Sequence, residues 1–421
     1  MNREVLEKLA EQVGTPFWMY DAAELRRRIA DVVALTDSEG LQARFAMKSC
    51  PLHAVMKEML DAGLWIDAVS ANECLRARAS GFSGGQQPPV ILYTTDVLRD
   101  NWREAVFDEK VLPNIGSPGM LQDLLAAGYQ GAVAIRVNVG FGHGHVNTCD
   151  TGGPSSKHGI WWEDVTEFAQ QAAAAGCPVT MLHTHVGSGP QQQELRDNMQ
   201  RIVDVFSEWA GAFPDLTAVS LGGGLPWNYR EEETLNIDAL KAILVAGRQR
   251  ISEVVGRDIR LEIEPGRYLV ASSGTLVARV TDYKQTQDNE KGRGHDFAMV
   301  DAGFIDLIRP AMYGSYHRIS LPGCEGAETA YCVAGPICES GDVFTRGADE
   351  MLEPRTLPKP AAGDLLCIHD GGAYGYVMSS NYNSIGRVPQ VWNDGDSCRL
   401  VSRRETLQDV LRAEVDEPLK S

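Results

Sequence analysis

No two cysteines in this chain are spaced as C-x-x-C. The nine that exist, Cys50, Cys74, Cys149, Cys177, Cys324, Cys332, Cys338, Cys367 and Cys398, are odd in number and scattered. Neither a disulfide framework nor a structural zinc site is indicated. Long apolar runs are missing too. Nothing approaches the length of a membrane span. The opening Met-Asn-Arg-Glu-Val-Leu-Glu-Lys carries acids instead of the apolar stretch of a signal peptide, so a cytoplasmic location is expected. Positive charge is in deficit, with a formal net charge of -18. A surface of that sign repels nucleic acid and anionic membranes, and neither is expected as a partner. An anionic small molecule still binds where basic groups are concentrated locally. There is no internal repeat, no low-complexity tract, and no G-x-G-x-x-G after the first apolar run.

What is present is an ordinary globular composition, 43% hydrophobic and 23% charged, over 421 residues. That length buries a large core and suggests two domains. Eight short apolar runs, at 43–47, 65–69, 90–94, 111–115, 132–139, 179–186, 218–221 and 259–264, alternate for the most part with helix-like segments at 54–62, 71–79, 118–127, 163–175, 195–210 and 237–255. Strand and helix alternating eight times predict an α/β architecture, a parallel (β/α)8 TIM-like barrel. A doubly wound open sheet is the alternative. The count of eight and the missing dinucleotide fingerprint favour the barrel. After Glu264 the pattern changes to β-like segments at 276–283, 297–300, 329–334, 364–368 and 397–401, separated by Gly, Pro and polar turns. These predict a second, mostly antiparallel β domain. The strand-like run 16–20 precedes the barrel and is expected to join it. The expected division is a barrel over 28–275 and a discontinuous β domain over 1–27 and 276–421. One long stretch without periodicity, 140–159, is the kind of loop that serves as a lid or binding loop.

Chemistry gathers at the C-terminal ends of the barrel runs, the face where such barrels build active sites. The first run ends in Lys48. An amine in a partly apolar pocket loses ammonium solvation and becomes a usable nucleophile toward an aldehyde. The sixth run leads into His183-Thr184-His185-Val186-Gly187-Ser188-Gly189. Period-two alternation puts His183 and His185 on one side. Zinc is one reading of H-x-H, but the accompanying ligands do not assemble at other strand ends, so no metal is expected. The other readings are an imidazole lying flat on a planar cofactor, expected for His185, and a buried hydrogen-bonded histidine, expected for His183. The seventh run ends in Gly222-Gly223-Gly224, whose backbone N–H groups suit an anion where barrels commonly place phosphate. The eighth ends in Glu262-Ile263-Glu264-Pro265-Gly266-Arg267. A carboxylate there can keep a pyridine nitrogen protonated, and the guanidinium can take a phosphate or carboxylate bidentately. Lysine for an aldehyde, imidazole for a ring face, carboxylate for a pyridine nitrogen and glycines for a phosphate together describe pyridoxal 5′-phosphate.

The motifs extend over almost the whole chain. They are Phe45-Ala46-Met47-Lys48; Phe141-Gly142-His143-Gly144-His145; Thr151-Gly152-Gly153 with Ser156-Lys157-His158-Gly159-Ile160; the 183–189 turn; the three glycines; and Glu264-Pro265-Gly266-Arg267. Beyond the barrel they are Asp301-Ala302-Gly303-Phe304, Arg309-Pro310-Ala311-Met312-Tyr313, Cys338-Glu339-Ser340-Gly341-Asp342 and Gly372-Ala373-Tyr374-Gly375. In these the chain closely resembles the barrel-type (fold III) pyridoxal-phosphate-dependent decarboxylases, and the Arg309 and Cys338 segments have the diaminopimelate-type form. The departures, Phe45 and Ser49-Cys50 near the lysine and Pro226-Trp227-Asn228 after the glycines, remove no group with a role.

The resemblance implies a carboxy-lyase that converts meso-2,6-diaminopimelate to L-lysine and carbon dioxide, the last step of lysine biosynthesis. It implies a head-to-tail homodimer with shared active sites. Lys48 would hold the cofactor covalently and His185 would stack on it. Glu264 would face its ring nitrogen. Ser188, Gly223, Gly224, Pro265, Gly266, Arg267 and Tyr374 would surround its phosphate or the substrate carboxylate. Arg267, Arg309, Tyr313, Glu339 and Tyr374 would bind substrate, and Cys338 from the partner would donate a proton. The alternatives are a decarboxylase for another basic amino acid or polyamine precursor, a pyridoxal-phosphate carrier, which would not need Cys338 and Glu339, and a racemase using Tyr374 as its second base.

Overall fold

A computed structural model describes residues 2–142, 151–187, 191–231, 235–290 and 292–417. The chain forms two compact units. One comprises 26–228 and 232–269, the other 1–25, 229–231 and 270–421.

The first unit is the expected barrel. Strands Leu41–Ala46, Trp65–Ala68, Ile91–Thr95, Leu112–Ile115, Val133–Asn138, Val179–His183, Ala218–Ser220 and Arg260–Ile263 pair in parallel with their sequence neighbours. The eighth pairs with the first and closes the ring. Closure leaves both faces covered, so these strands read as nearly continuous apolar runs. The intervening helices start on recognisable signals. Ser70 and Ser117 cap Ala71–Ala79 and Pro118–Ala126 by accepting the N–H of Glu73 and Met120. Asn236 opens Ile237–Val255, and Gly256, left-handed at φ 74°, ends it.

Period-two alternation fills the barrel in layers. Leu92, Leu112, Ala134, Met181 and Ala218 form one apolar cluster. Two residues further along the same strands lie Thr94, Asn114, Arg136, His183 and Ser220, all buried. The interior therefore changes from hydrocarbon to polar groups within one step toward the C-terminal ends.

Beside the apolar cluster sits a buried ion pair. Arg44 and Glu262 are both fully buried. The Arg44 guanidinium also donates to the carbonyls of Pro89 at 2.8 Å and Val90 at 3.0 Å, and Glu262 takes a second cation, Arg260, at 2.6 Å. Both guanidiniums lie 4.9 Å from the Trp65 ring.

The second unit is built on a mostly antiparallel nine-stranded sheet. Phe17–Asp21 joins it as anticipated, between Gly274–Gln285 and Gln390–Asn393. The strands Arg355–Pro358 and Gln390–Asn393 and the helix Arg3–Val13 were not anticipated. Polar residues break any apolar run in these two strands. No helix among the described residues is long and apolar enough to cross a membrane.

Arg44→Met strands Glu262 without one of its two cations in the barrel interior. Breaking one side of a buried pair costs roughly 3–5 kcal/mol, so urea unfolding should show a loss of that order. A midpoint equal to wild type would mean that Arg260 alone satisfies Glu262.

Candidate active site at the barrel mouth

The first strand ends at Ala46, and Lys48 lies in the single 3-10 turn Met47–Ser49 that follows. This turn packs on the one after the eighth strand, where Ala46 N–H donates to Pro265 O at 3.1 Å. A Cβ on Gly266 would lie 3.1 Å from the Ala46 Cβ and 3.3 Å from Ser49 Oγ, closer than most side chains come. Glycine there lets the Lys48 turn and the Glu264 turn touch. Lys48 is half-buried and lines a cavity of about 410 Å³ with Asn72, Thr95, Arg136, Thr151 and His158.

Glu264 is a buried acid of the mouth. His183 Nε2 lies 2.8 Å from its Oε2, and Ser220 Oγ donates to its Oε1 at 2.7 Å. Burial pushes the Glu264 carboxyl up. The charge and hydrogen bond of His183 and the Ser220 hydroxyl more than reverse this and hold it down at about 2. Ser220 Oγ also accepts the Gly222 N–H at 3.1 Å. Of the three glycines expected to face an anion, Gly222 thus has its N–H committed inside the protein. The run is forced close to its neighbours. A Cβ on Gly222 would strike Thr184 O, and one on Gly223 would come within 2.6 Å of Glu264 O. Gly222 and Gly224 have φ of 73° and 117°.

The sixth strand stops at His183, two residues before His185, so simple alternation does not govern the second histidine. Gly187 turns the chain at φ 116°. His183 is the buried, hydrogen-bonded histidine expected. His185 is half-buried, its Nδ1 enclosed without a protein partner. Desolvation, with help from Lys48 and Arg136, drives its imidazole well below the ordinary value, against the pull of Glu264. Ser188 and residues 143–150, including His143, His145 and Cys149, lie outside the described residues. The described part of the long loop is tied to strand ends. Thr151 Oγ1 donates to His185 O at 2.8 Å, Gly153 N–H to Asn138 Oδ1 at 2.9 Å, and His158 Nδ1 lies 2.7 Å from Asp96 Oδ2.

Two charged residues of the mouth escaped sequence reasoning. Asp67, within Trp65-Ile66-Asp67-Ala68, accepts from Thr94 Oγ1 at 2.6 Å, and Thr94 accepts from Asn114. Burial and the Glu264 charge raise its carboxyl, against Lys48 and His183. Arg136, within Ala134-Ile135-Arg136-Val137, is buried, and desolvation lowers its guanidinium against the pull of Asp96, Asp67 and Glu264. The available signal was a lone charge inside an apolar strand run, which is expensive unless answered by an opposite charge.

The remaining candidates lie in the β unit. Arg309 opens the short helix Arg309–Tyr313 and is 3% exposed. Its guanidinium carbon lies 5.8 Å from the Tyr313 ring centroid and 5.9 Å from that of Tyr374. Tyr374 has φ 59°, a conformation that side chains other than glycine rarely adopt and that tends to mark functional loops. Cys338 and Glu339 are exposed, on a separate loop. That loop is pinned by Asp342, which accepts from Phe304 N–H at 2.6 Å and Ile337 N–H at 2.7 Å. Among the described residues no cluster of three or more His, Cys, Asp or Glu side chains is arranged to hold a metal.

Residues 22–271 match the family model described as pyridoxal-dependent decarboxylase, pyridoxal binding domain. The chain belongs to the pyridoxal-dependent decarboxylases, and pyridoxal 5′-phosphate is its cofactor. Within that class it falls in the diaminopimelate decarboxylase family. It is 40% identical to the diaminopimelate decarboxylase of Escherichia coli K12 over 99% of this chain and 97% of that one. It is 39% identical to that of Streptomyces coelicolor over 98% and 92%. A crystal structure of a diaminopimelate decarboxylase superposes with TM-score 0.89 at 39% identity, covering 97% of this chain and 96% of the other.

The low Glu264 value gives this site a pH signature. A carboxyl depressed in the folded state contributes stability above its unfolded value, near 4.5, and loses it as pH falls toward about 2. Unfolding free energy measured between pH 5 and 2 should therefore fall more steeply in wild type than in Glu264→Gln. Parallel curves would mean that the carboxyl is not held ionised by its neighbours.

Proposed function

We propose that this protein decarboxylates the D-configured centre of meso-2,6-diaminopimelate, releasing carbon dioxide and L-lysine, as the last step of lysine biosynthesis. The observation that carries the reading is a buried carboxylate kept ionised in the barrel mouth by His183 and Ser220 and packed against the glycine run. These groups fit pyridoxal 5′-phosphate. Glu264 is an anion for its ring nitrogen. His185 is an uncharged imidazole for its ring face, which avoids repulsion with a protonated pyridine. Gly223 and Gly224, with Ser188, Pro265, Gly266, Arg267 and Tyr374, would surround its phosphate or the substrate carboxylate. Lys48 would hold it through its aldehyde carbon.

When bound, the cofactor supplies an electron sink for the pair released as the Cα–carboxylate bond breaks. The protein's own groups do the rest. His183 and Ser220 keep Glu264 ionised and aimed. Arg309, flanked by Tyr313 and Tyr374, supplies a cation for the substrate's distal carboxylate, Glu339 an anion for its distal ammonium, and Arg267 a further contact. The Cys338 thiol delivers a proton to Cα after carbon dioxide leaves. Asp342 fixes the loop that carries Cys338 and Glu339. The exposure of these two residues in the single chain supports a head-to-tail homodimer in which each supplies the partner's site. The acidic surface suits a cytoplasmic enzyme.

The purified protein is expected to release carbon dioxide and L-lysine from meso-diaminopimelate at least a hundredfold faster than carbon dioxide from ornithine, arginine or lysine, the scale by which an unpaired site rejects a substrate lacking its partner group. Lys48→Ala should lose this activity together with the visible absorption of covalently held cofactor. Comparable rates on ornithine would replace the substrate assignment.

If Cys338 acts across the interface, Lys48→Ala and Cys338→Ala chains should complement each other. Each homodimer lacks one essential group at both sites. A mixed dimer has one site missing both groups and one missing neither. Statistical mixing makes half the dimers mixed, so about a quarter of wild-type activity should return. No recovery after verified subunit exchange would place Cys338 in its own chain's site.

A further inference from the structure

We propose that Tyr229 is a positioning residue that fixes the Arg309 guanidinium for the distal carboxylate of the substrate. This rests on the reading of Arg309 as the carboxylate-binding cation. Residues 229–231 are an excursion. The chain before and after them belongs to the barrel unit, while these three pack with the β unit. The Tyr229 ring centroid lies 5.4 Å from the Arg309 guanidinium carbon, nearer than Tyr313 or Tyr374. Three aromatic rings thus stand around one buried cation, and Ser315 Oγ accepts its Nη2–H at 3.0 Å.

Tyr229 is itself held. The His317 ring meets it edge-on at 5.2 Å and 67°, and His317 Nδ1 bonds His369 O at 2.9 Å. Next along the chain, Arg230 lies 4.4 Å from the Tyr316 ring and pairs with Glu353 at 3.6 Å. The excursion is anchored on both sides of the ring that faces Arg309.

A guanidinium recognises a carboxylate by two parallel N–H donors, and that preference depends on the plane being fixed. An aromatic face attracts the cation without consuming any of its N–H groups. Tyr229 therefore restrains Arg309 through its ring face, a contact that by itself takes none of its N–H donors. A carboxylate or amide in its place would compete for them.

The test is a split between substrate groups. Tyr229→Leu should raise KM for meso-diaminopimelate and the dissociation constant of L-lysine, which retains the distal amino acid group, by about tenfold, the scale of one enclosed cation–ring contact. The kcat should stay within about threefold, since a uniform binding loss leaves it unchanged. The inhibition constant of D-lysine, which has hydrogen in place of the distal carboxylate, should not follow. Tyr229→Phe, which keeps the ring, should recover most of the affinity. Equal losses for D-lysine, or Tyr229→Phe behaving like Tyr229→Leu, would overturn the proposal. If Tyr229→Leu does not fold, Tyr229→Met fills the volume without a ring and is read in the same way. Arg309→Lys separates the two levels. No change in its KM for meso-diaminopimelate defeats the reading of Arg309 itself. A raised KM there, with Tyr229→Leu unaffected, defeats only the role of Tyr229.

Discussion

A carboxylate almost cut off from water must either take up a proton or be surrounded by partners, and Glu264 is surrounded. His183 and Ser220 each engage one of its oxygens, and the same Ser220 hydroxyl receives the Gly222 N–H. Three strand ends are thereby bound to one anion. Glu264 N–H in turn donates to Gly222 O at 2.8 Å. The glycine run, the histidine strand and the Glu264 turn act as one piece, and the Lys48 turn packs on that piece through Ala46 and Gly266. A charge that needs neutralising and a site that needs rigidity have the same solution.

The layering of the barrel explains why this arrangement is affordable in free energy. The layer of Leu92, Leu112, Ala134, Met181 and Ala218 excludes water below the mouth. Excluded water strengthens every electrostatic interaction above it. Polar residues of the next layer find partners there, as in the Asn114, Thr94 and Asp67 chain. The same low-dielectric interior keeps His185 neutral and makes the placement of Arg136 matter. Structural and chemical demands coincide on strands whose side chains differ only by one alternate step.

The β unit uses a different device. Its candidate cation, Arg309, stands among three aromatic rings, and the loop of its exposed Cys338 and Glu339 is clamped through Asp342. In the barrel mouth Glu264 is restrained instead by hydrogen bonds to both of its oxygens.

Sequence alone determined the eight strands, six of the helices between them and the ends at which chemistry collects, because apolar periodicity and capping residues are local signals, but it missed the helix Ala22–Thr36. It also placed Lys48, His185, the glycines and Glu264 just beyond strand ends, where the structure has them within four residues of the last strand residue. Arg355–Pro358 and Gln390–Asn393 left no trace, because polar residues break any apolar run in them. Asp67 and Arg136 were visible merely as charges in apolar runs. Their meaning depended on partners in strands that the linear order keeps apart. The commitment of Gly222 to Ser220, the His183–Glu264 bond and the encounter of Tyr229 with Arg309, eighty residues apart in the chain, were decided by tertiary structure alone. Such contacts arise from ring closure and from chain excursions, and neither leaves a period, a cap or a turn residue to read.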